Sequence, residues 1–319
     1  MGEFELIRRF FTRPTRRAAL GVGDDCALLA PAPGMQLAVS SDLLLEGRHF
    51  VSTVAPERLG HKALAVNLSD LAACGAAPLG FTLALALPQV DAGFLEGFAR
   101  GLFALADAHD CELVGGDTTR GPLAICITVF GEVPPGRALL RSGARPGDDV
   151  WVSGSSLGDA RLALEVLRGT RALDGSDFET TRRALERPMP RVALGLALRG
   201  IATSAIDLSD GLVGDLGHVL AASGVGATLE LDALPRSAIL RAQPPEVQRA
   251  CVLAGGDDYE LAFSAPPRAA DRVTEAAAAA ATPVARIGRV DAAPGLRVLD
   301  GDGHEVAAGL RSFDHFTTA

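Results

Sequence analysis

The sequence predicts an α+β protein that consists of two α/β domains. Strand-like apolar segments alternate with helix-like amphipathic segments along the chain, a pattern typical of layered helices and sheets. The length of 319 residues suits two domains, or one large one. Residues 141–154, RSGARPGDDVWVSG, combine a Pro-Gly-Asp turn with further glycines and form the best boundary. We therefore predict a first domain at 1–140 and a second at 141–319.

A short internal echo supports two related halves. The tetrapeptide NLSD ends at Asp70 and VGGD ends at Asp117, and the same spacing separates DLSD, which ends at Asp210, from AGGD, which ends at Asp257. Such self-similarity is a mark of duplicated structure.

The helix predicted at 56–75 illustrates how the elements of the first domain are assigned. Leu64, Leu68 and Leu71 share one stripe at helical spacing, Asp70 lies with Asn67 on another, and Gly75 is a suitable stop. The same reasoning gives short strands at 21–31 and 34–45, the helix at 56–75, a strand at 81–88, a helix at 91–109, and strands at 111–114 and 123–133 that flank the loop GGDTTRG.

The second domain is predicted to be richer in helices. A strong helix former, TEAAAAAA, occupies 274–281. The complete prediction is helices at about 157–168 and 181–199, a helix that IDLSDGL opens and that reaches about 222, a strand in ATLEL, and the later segment CVLAGGDDYELAFS.

Composition excludes several classes of protein. A net charge of −9 argues against a nucleic-acid partner, and no apolar run approaches the ~18 residues of a membrane span. Lys62 is the only lysine, which excludes mechanisms that need a catalytic lysine elsewhere. The five scattered cysteines form no CxxC pair and indicate reduced thiols, and the N-terminus lacks a secretory signal. A cytoplasmic protein is expected.

Aspartates at the ends of apolar segments are the main candidates for chemistry. Any one of them could be surface charge, a turn former or, for Asp207 and for Ser209, a helix cap. So many carboxylates would repel one another without a cation, and carboxylate and hydroxyl oxygens suit Mg²⁺. Zinc motifs are absent. The group is Asp24, Asp25, Asp42, Asp70, Asp117, Asp207, Asp210, Asp257 and Asp258.

A polyphosphate is the ligand expected at a magnesium cluster, because Mg²⁺ binds a few carboxylates together with phosphate oxygens. The lysine-based phosphate motifs of P-loop proteins and protein kinases are absent, so metal ions, arginines and backbone N–H groups have to neutralise the phosphates. Candidates are the glycines of GGDTTRG, the start of the helix beside Ser209, and Arg120 or Arg141, either of which could instead form an ordinary surface ion pair.

Taken together, the motifs resemble the thiamine-monophosphate kinase family, in the superfamily that also contains aminoimidazole ribonucleotide synthetase and selenophosphate synthetase. The resemblance runs from Gly2 to Phe316. The matching stretches, in order, are GEFELIRRFF, GVGDDCALL, SSDLLLEGRHF, KALAVNLSDLAACGA, LVGGDTTRGPL, RSGARPGD, SAIDLSDGL, GGDDYEL and FDHF.

The resemblance implies two domains of the aminoimidazole ribonucleotide synthetase type and a homodimer whose N-terminal strands close into a barrel. The implied substrates are ATP and thiamine monophosphate, with several Mg²⁺ ions and no catalytic residue beyond the metal ligands. The implied metal ligands are Asp25, Ser40, Ser41, Asp42, Asp70, Asp117, Asp207 and Asp210. The implied ATP contacts are Gly116, Asp117, Arg141 and Ser209, and the implied acceptor contacts are His49, Asp257 and Phe313.

Two residues depart from the family pattern on the acceptor side. Asp257 stands where glutamate is usual, and Phe313 replaces a tyrosine or tryptophan. The expected reaction is direct in-line transfer without a phosphoenzyme. It needs no general base, because the acceptor phosphate is already an anion at neutral pH. The alternatives are another ATP-dependent synthetase of the superfamily with a different acceptor, and a regulatory module that binds Mg-ATP without turnover.

Overall fold

The computed structural model describes residues 2–306. The chain divides into two compact units, one formed by the residues up to Leu71 with Ala76–Gly136, the other by Ala72–Gly75 with the residues from Arg137 onwards. Within residues 2–306, no helix combines the length and the apolar character needed to cross a bilayer. The division at residue 140 remains a prediction.

The first unit is a four-stranded sheet with two long helices. Its strands are ordered β1-β4-β2-β3; β2 and β3 are parallel, and the other neighbours are antiparallel. The elements are α1 (Glu3–Leu6) followed by a π-helical segment (Ile7–Phe11), β1 (Gln36–Leu45), α2 (Pro56–Cys74), β2 (Ala77–Leu87), α3 (Ala92–Ala108), β3 (Glu112–Arg120) and β4 (Ala124–Val133).

Only one face of this sheet is buried along β1. Ser40, Asp42 and Leu44 alternate with exposed residues, as expected when one face packs and the other is open. The buried face is continued by Phe81, Leu83 and Leu85 of β2 and by Ile125, Ile127 and Val129 of β4. The opposite face of β1 exposes Leu37, Val39, Leu43 and Leu45, each at least 39% accessible.

The second unit is built on a six-stranded sheet ordered β10-β7-β9-β5-β8-β6, in which only β10 and β7 are parallel neighbours. Its core includes Val150 and Val152 of the central strand. The elements are β5 (Asp149–Ser153), α4 (Asp159–Leu167), α5 (Gly175–Glu186), α6 (Val192–Ala197), β6 (Ser204–Asp207), α7 (Leu212–Ser223), β7 (Gly226–Glu230), α8 (Ala238–Arg241), α9 (Pro245–Ala254), β8 (Leu261–Ala265), α10 (Ala270–Ala279), β9 (Val284–Asp291) and β10 (Gly295–Leu299).

Three local predictions were wrong. Residues 21–31 form no strand but only isolated bridges such as Leu20 with Leu28. The helix predicted at 181–199 is two helices, α5 and α6, because Pro188 and Pro190 cannot continue a helix. The predicted loop GGDTTRG lies largely in β3, where pairing with the buried strand β2 overrides the loop-forming preference of glycine.

The tetrapeptide echo does not correspond to a local structural repeat. Asp70 lies within helix α2, whereas Asp210 follows the end of strand β6. Asp117 lies in strand β3, whereas Asp257 lies in a loop with a left-handed backbone, φ 68°. The matching letters therefore occur in different secondary structures.

Candidate active site

The first group of predicted metal ligands lies where β1 passes α2. The Ser40 hydroxyl donates a hydrogen bond of 2.5 Å to an Asp70 carboxylate oxygen. The backbone N–H of Asp42 donates to the Asn67 side-chain oxygen at 3.1 Å. Since Ser40 and Asp42 are two residues apart on a strand, their side chains leave the same face of the sheet. The structure thus brings Ser40, Asp42 and Asp70 together.

The electrostatics of this group suit a cation. Burial, the charge of Asp70 and a hydrogen bond with Asp70 together raise the pKa of Asp42 to about 7, and burial is the largest of these causes. Two carboxyl groups this close share a proton unless a positive charge takes its place. Two carboxylates and a hydroxyl are hard oxygen donors, the kind that Mg²⁺ prefers. The donor set therefore fits Mg²⁺.

Ser41 lies on the opposite face of β1. Its hydroxyl is 3.0 Å from the Thr128 hydroxyl and donates to the Ile127 carbonyl oxygen at 3.2 Å. Successive residues of a strand point to opposite faces. The structure therefore does not bring the Ser41 hydroxyl to the Asp42–Asp70 pair, and only the main chain of Ser41 is compatible with a ligand role there.

A cavity of about 750 Å³ in the first unit contains the other predicted ligands of this unit. Asp25, Gly116 and Asp117 line it together with Asp24, which was among the candidate acids but not in the ligand set that the resemblance implies. The N-terminal helical segment forms another wall through Phe4, Ile7, Arg8 and Phe11. Among the described residues that line this cavity, Arg8 is the only basic one. The size suits a nucleotide-sized ligand.

Gly116 is required by the backbone of this cavity wall. Its φ is 146°, which side chains rarely adopt, and a Cβ atom there would lie 1.9 Å from the Leu83 carbonyl oxygen. A substitution would therefore displace β3 from β2 next to Asp117. The glycine-rich motif thus permits a close approach of two strands.

The second unit places its predicted residues where β6 ends. Asp207 is the last residue of β6 and is buried, and Ser209 and Asp210 follow in the loop before α7. The backbone N–H of Asp257 donates to the Ser209 carbonyl oxygen at 2.8 Å. The structure thus brings the main chains of Ser209 and Asp257 together and places Asp207 and Asp210 beside them in sequence.

Asp215 changes the expected role of the α7 N-terminus. Its carboxylate accepts the backbone N–H groups of Asp210 and Gly211, both at 3.0 Å. Burial raises the pKa of Asp215 to about 6 against these hydrogen bonds. Two N–H groups expected to be available for phosphate are therefore already bonded. The acid in the first turn of the predicted helix was a sequence signal for this arrangement.

Sequence reasoning also missed the supports of the GGDDYE segment. Glu260 accepts hydrogen bonds from Arg191 at 2.5 and 2.7 Å and from the Ser153 hydroxyl at 2.5 Å. Asp258 accepts the backbone N–H of Gly158 at 2.8 Å, and burial raises its pKa. The two acids anchor a segment in which Asp257 and Tyr259 both have positive φ.

The remaining predicted contacts are less informative. The Nδ1 atom of His49 accepts the backbone N–H of Leu45 at 3.0 Å, and the Lys62 ammonium donates to the His49 carbonyl oxygen at 3.2 Å. Arg141 is exposed, and its carbonyl oxygen accepts the Ser223 hydroxyl. Phe313 lies outside the described residues.

Comparison with known proteins identifies the family. The AIR synthase related protein, N-terminal domain, matches residues 23–133, and the corresponding C-terminal domain matches residues 145–301. The chain is 45% identical over 324 residues to thiamine-monophosphate kinase of Salmonella typhimurium (strain LT2), with 99% of both chains covered. The chain belongs to the thiamine-monophosphate kinase family.

Solved structures of the thiamine-monophosphate kinase family agree with this fold. The enzyme from Stenotrophomonas maltophilia K279a superposes with a TM-score of 0.85 at 45% identity, covering 95% of this chain and 96% of that one. AaThiL complexed with AMPPCP and TMP gives a TM-score of 0.78 at 30% identity, covering 90% and 89%. The predicted family and fold class are thereby confirmed.

Proposed function

We propose that this chain transfers the γ-phosphoryl group of ATP to thiamine monophosphate and releases thiamine diphosphate and ADP. The observation that carries the proposal is the 45% identity to a thiamine-monophosphate kinase over nearly the whole of both chains. A family structure holds AMPPCP together with TMP, which supports ATP as the donor.

Phosphoryl transfer requires the protein to position the two substrates and to neutralise the negative charge of their phosphate groups. The second pKa of a phosphate monoester is about 6, so the acceptor is already an anion at neutral pH and needs no general base. Its approach to the γ-phosphate is opposed by charge repulsion. Mg²⁺, when bound, would neutralise charge on the phosphates and on the acids. Transfer is direct and in line, without a phosphoenzyme.

In the first unit, Ser40, Asp42 and Asp70 would hold Mg²⁺, as would Asp25 and Asp117 in the cavity. This assignment is supported by the hydroxyl–carboxylate contact of Ser40 with Asp70 and by the raised pKa of Asp42. Ser41 belongs to the proposed set through its main chain.

In the second unit, Asp207 and Asp210 are the proposed metal ligands. Asp207 ends β6 and Asp210 follows in the loop after it, and loops held by a rigid scaffold commonly carry binding residues.

The ATP contacts are proposed at Gly116, Asp117, Arg141 and Ser209. The cavity lined by Gly116 and Asp117 would take the nucleotide, and Arg8 is the cation that its wall supplies. On the acceptor side we propose His49, Asp257 and Phe313. Asp257 is one methylene shorter than glutamate, so its reach toward the acceptor depends on the anchored backbone around it.

We further propose a homodimer in which the open face of the β1 sheet meets a second copy. Four apolar residues on one face of an edge strand are exposed in the single chain, which is an arrangement that proteins usually cover. We propose a second copy of this chain as the partner, because β1 is an edge strand. The identical strand of the second copy can extend the sheet so that the two sheets close into a barrel.

A cytoplasmic location is also proposed. Its support is the set of five cysteines, none of which forms a disulfide within the described residues, as expected in a reducing compartment.

A coupled ADP-release assay tests the function directly. We expect ADP release with ATP and thiamine monophosphate in the presence of Mg²⁺, and none after chelation. The same assay with selenide and with formylglycinamidine ribonucleotide tests the alternative hypothesis, that the chain is an ATP-dependent synthetase with a different acceptor. Turnover with either of these, but not with thiamine monophosphate, would overturn the proposal. Mg-ATP binding without turnover of any acceptor would instead indicate a regulatory module.

A further inference from the structure

A second cavity, about 450 Å³ in volume, lies entirely within the second unit. Three arginines line it, Arg145, Arg268 and Arg272, together with the loop of residues 200–203 and with Pro266 and Ala269. We call this cavity the arginine pocket. It contains none of the residues assigned above to the metals, to ATP or to the acceptor.

The charge of the arginine pocket contrasts with that of the protein. The chain carries a net charge of −9, yet no carboxylate is among the described residues that line this cavity. Within residues 2–306, the guanidinium groups of Arg145, Arg268 and Arg272 make no ion pair. Three like charges around one concave surface repel each other, and an anion between them relieves that repulsion.

Two acids are close in sequence to residues that line the arginine pocket. Asp148 is buried and accepts the Thr203 hydroxyl at 2.7 Å and the backbone N–H of Arg145 at 3.1 Å. Asp271 is exposed in the first turn of α10 and does not line the cavity. Within residues 2–306, neither carboxylate forms an ion pair with any of the three guanidinium groups.

Two arginines of the pocket are tied to rigid elements. Arg272 donates through Nη2 to the Gly200 carbonyl oxygen at 3.3 Å, so helix α10 and the loop of residues 200–203 hold it in place. Arg268 precedes the same ten-residue helix, and the N-cap residue, Ala269, offers no side-chain hydrogen bond to the first turn. The N-terminus of α10 therefore lies beside the pocket, with the exposed Asp271 in its first turn.

The position of the arginine pocket separates it from the proposed catalytic residues of the second unit. Thr203, in its lining, directly precedes the first residue of β6, whereas Asp207 is the last residue of that strand. Four residues of extended strand span roughly 13 Å. A ligand in the pocket would therefore lie at the opposite end of β6 from Asp207 and Asp210.

We propose that the arginine pocket is an anion site that binds a phosphate or diphosphate group, separate from the catalytic site. Guanidinium groups match phosphate oxygens in geometry and bind them in bidentate fashion. Several arginines favour an anion of more than one charge. The ligand is either a free inorganic anion or the phosphate end of a small metabolite.

Calorimetric titration with inorganic pyrophosphate in EDTA tests the site. Without metal, the aspartate clusters repel anions, so uptake reports the arginine pocket. We expect binding by the full-length chain and at least tenfold weaker binding by the double variant Arg268→Gln/Arg272→Gln. The matched control is Arg171→Gln/Arg183→Gln, which removes two exposed arginines of the same unit that do not line the cavity. This control should bind as the parent does.

Further titrations distinguish between candidate anions and between the two cavities as the binding site. Orthophosphate, pyrophosphate and ADP distinguish a single phosphate, a diphosphate, and a diphosphate carried by a nucleoside. The Arg8→Gln variant, which removes the cation of the nucleotide cavity, should still bind pyrophosphate in EDTA. Absence of uptake by the parent protein, or equal uptake by the Arg268→Gln/Arg272→Gln variant with an unchanged thermal unfolding curve, overturns the proposal. Loss of uptake in Arg8→Gln would assign the anion to the nucleotide cavity and also overturn it.

Discussion

At the residue scale, the fold holds two acidic side chains, Asp42 and Asp70, close together although their charges repel each other. Asp42 and Asp70 interact closely enough for the pKa of Asp42 to reach about 7, with burial as the largest cause. Retaining such a pair costs stability unless a cation binds, so it is typical of functional sites. Asp117, by contrast, is exposed on the cavity wall, where a carboxylate is readily solvated.

The raised pKa of Asp42 predicts how pH and metal affect stability. The folded-state pKa lies above the unfolded value of ~3.9, so folding favours the protonated form. Its contribution to stability is fully present below about pH 4 and is lost as the pH rises through about 7. In EDTA we expect the free energy of unfolding to fall between pH 5 and pH 8, measured by urea titration. Asp42→Asn should flatten that fall, and saturating Mg²⁺ should reverse part of it.

An unchanged pH slope in the Asp42→Asn variant would assign the slope to other groups. A lack of any effect of Mg²⁺ on unfolding at pH 8 would contradict the proposed ligand role of this pair. Asp232→Asn, a change at an exposed aspartate of the second unit, is the matched control.

Asp117→Asn is predicted to reduce turnover with little effect on folding. The carboxamide preserves shape but loses the negative charge that would hold a metal ion beside the nucleotide. We expect kcat to fall by roughly 100-fold or more, with raised Mg²⁺ restoring part of it, and the thermal unfolding midpoint to stay close to that of the parent. Near-normal turnover at ordinary Mg²⁺ would remove Asp117 from the ligand set.

At the element scale, side chains far apart in sequence hold the site-bearing segments in place. Glu260 joins the end of β5, through Ser153, to the start of α6, through Arg191. This link lies next to Asp257, whose own backbone is bonded to Ser209. These contacts hold Asp257 and Tyr259 in the left-handed backbone conformation, which is unfavourable for residues other than glycine.

Removing one partner of the Arg191–Glu260 pair should be costly. Arg191→Met leaves a largely buried carboxylate with only Ser153, and we expect a loss of about 3 kcal/mol in the free energy of unfolding. The double variant Arg191→Met/Glu260→Gln should lose less than the single one because no unpaired charge remains. Urea unfolding of both variants and of each single change gives the coupling. Additive losses would show that the pair acts as two independent residues.

Glu112 plays a similar part in the first unit, where it secures the N-terminal segment to β3. Its carboxylate accepts the backbone N–H groups of Arg16, Arg17 and Ala18, at 2.6 to 3.2 Å. Burial acts to raise the pKa of Glu112, but these bonds and the Arg16 charge outweigh it and lower the pKa. The segment they secure leads back to the helical wall of the cavity lined by Asp25 and Asp117.

Glu112→Gln is predicted to lose about 2 kcal/mol of stability at pH 7. Because the folded-state pKa is lowered, the contribution of the carboxylate is present above the unfolded pKa of ~4.3 and disappears as the pH falls through the lower folded value. The parent and variant unfolding curves should therefore converge in acid. A gap that does not shrink at all as the pH is lowered would mean that charge is not the source of the stabilisation.

At the scale of the whole molecule, the open face of the β1 sheet is an exposed apolar surface of the first unit. By strand register, Leu43 is level with Cys126 of β4, Ala84 of β2 and Asp117 of β3. The face that would meet a second copy therefore includes the row that carries a proposed metal ligand. Dimer formation and catalysis are expected to depend on one another.

Charge on this face should disrupt the dimer. Val39→Glu/Leu43→Glu places two carboxylates on the open face. By light scattering after gel filtration, we expect a monomer for this variant and a dimer for the parent. Leu28→Glu/Val90→Glu is the control, since both residues are exposed apolar side chains of the first unit outside β1. A monomeric parent, or a dimeric Val39→Glu/Leu43→Glu variant, would contradict the proposed interface.

Much of the fold and part of the site could be predicted from local patterns. The helices at 56–75 and 91–109 were found because leucine and phenylalanine repeat at helical spacing, and the structure has them at Pro56–Cys74 and Ala92–Ala108. The strand in GGDTTRG was missed because its pairing with β2 is non-local. The Arg191–Glu260 link was missed for the same reason, since its partners lie far apart in sequence and only the fold brings them together.

By itself, the sequence determined the family, the two-domain α+β class and the acids available for chemistry, because these follow from composition, periodicity and short motifs. Only the tertiary structure decided which of those acids touch. Strand alternation placed Ser40 and Asp42 on the side of Asp70 and turned Ser41 away, and non-local packing gathered Arg145, Arg268 and Arg272 around one cavity. Such contacts depend on distances through space, which spacing along the chain does not specify.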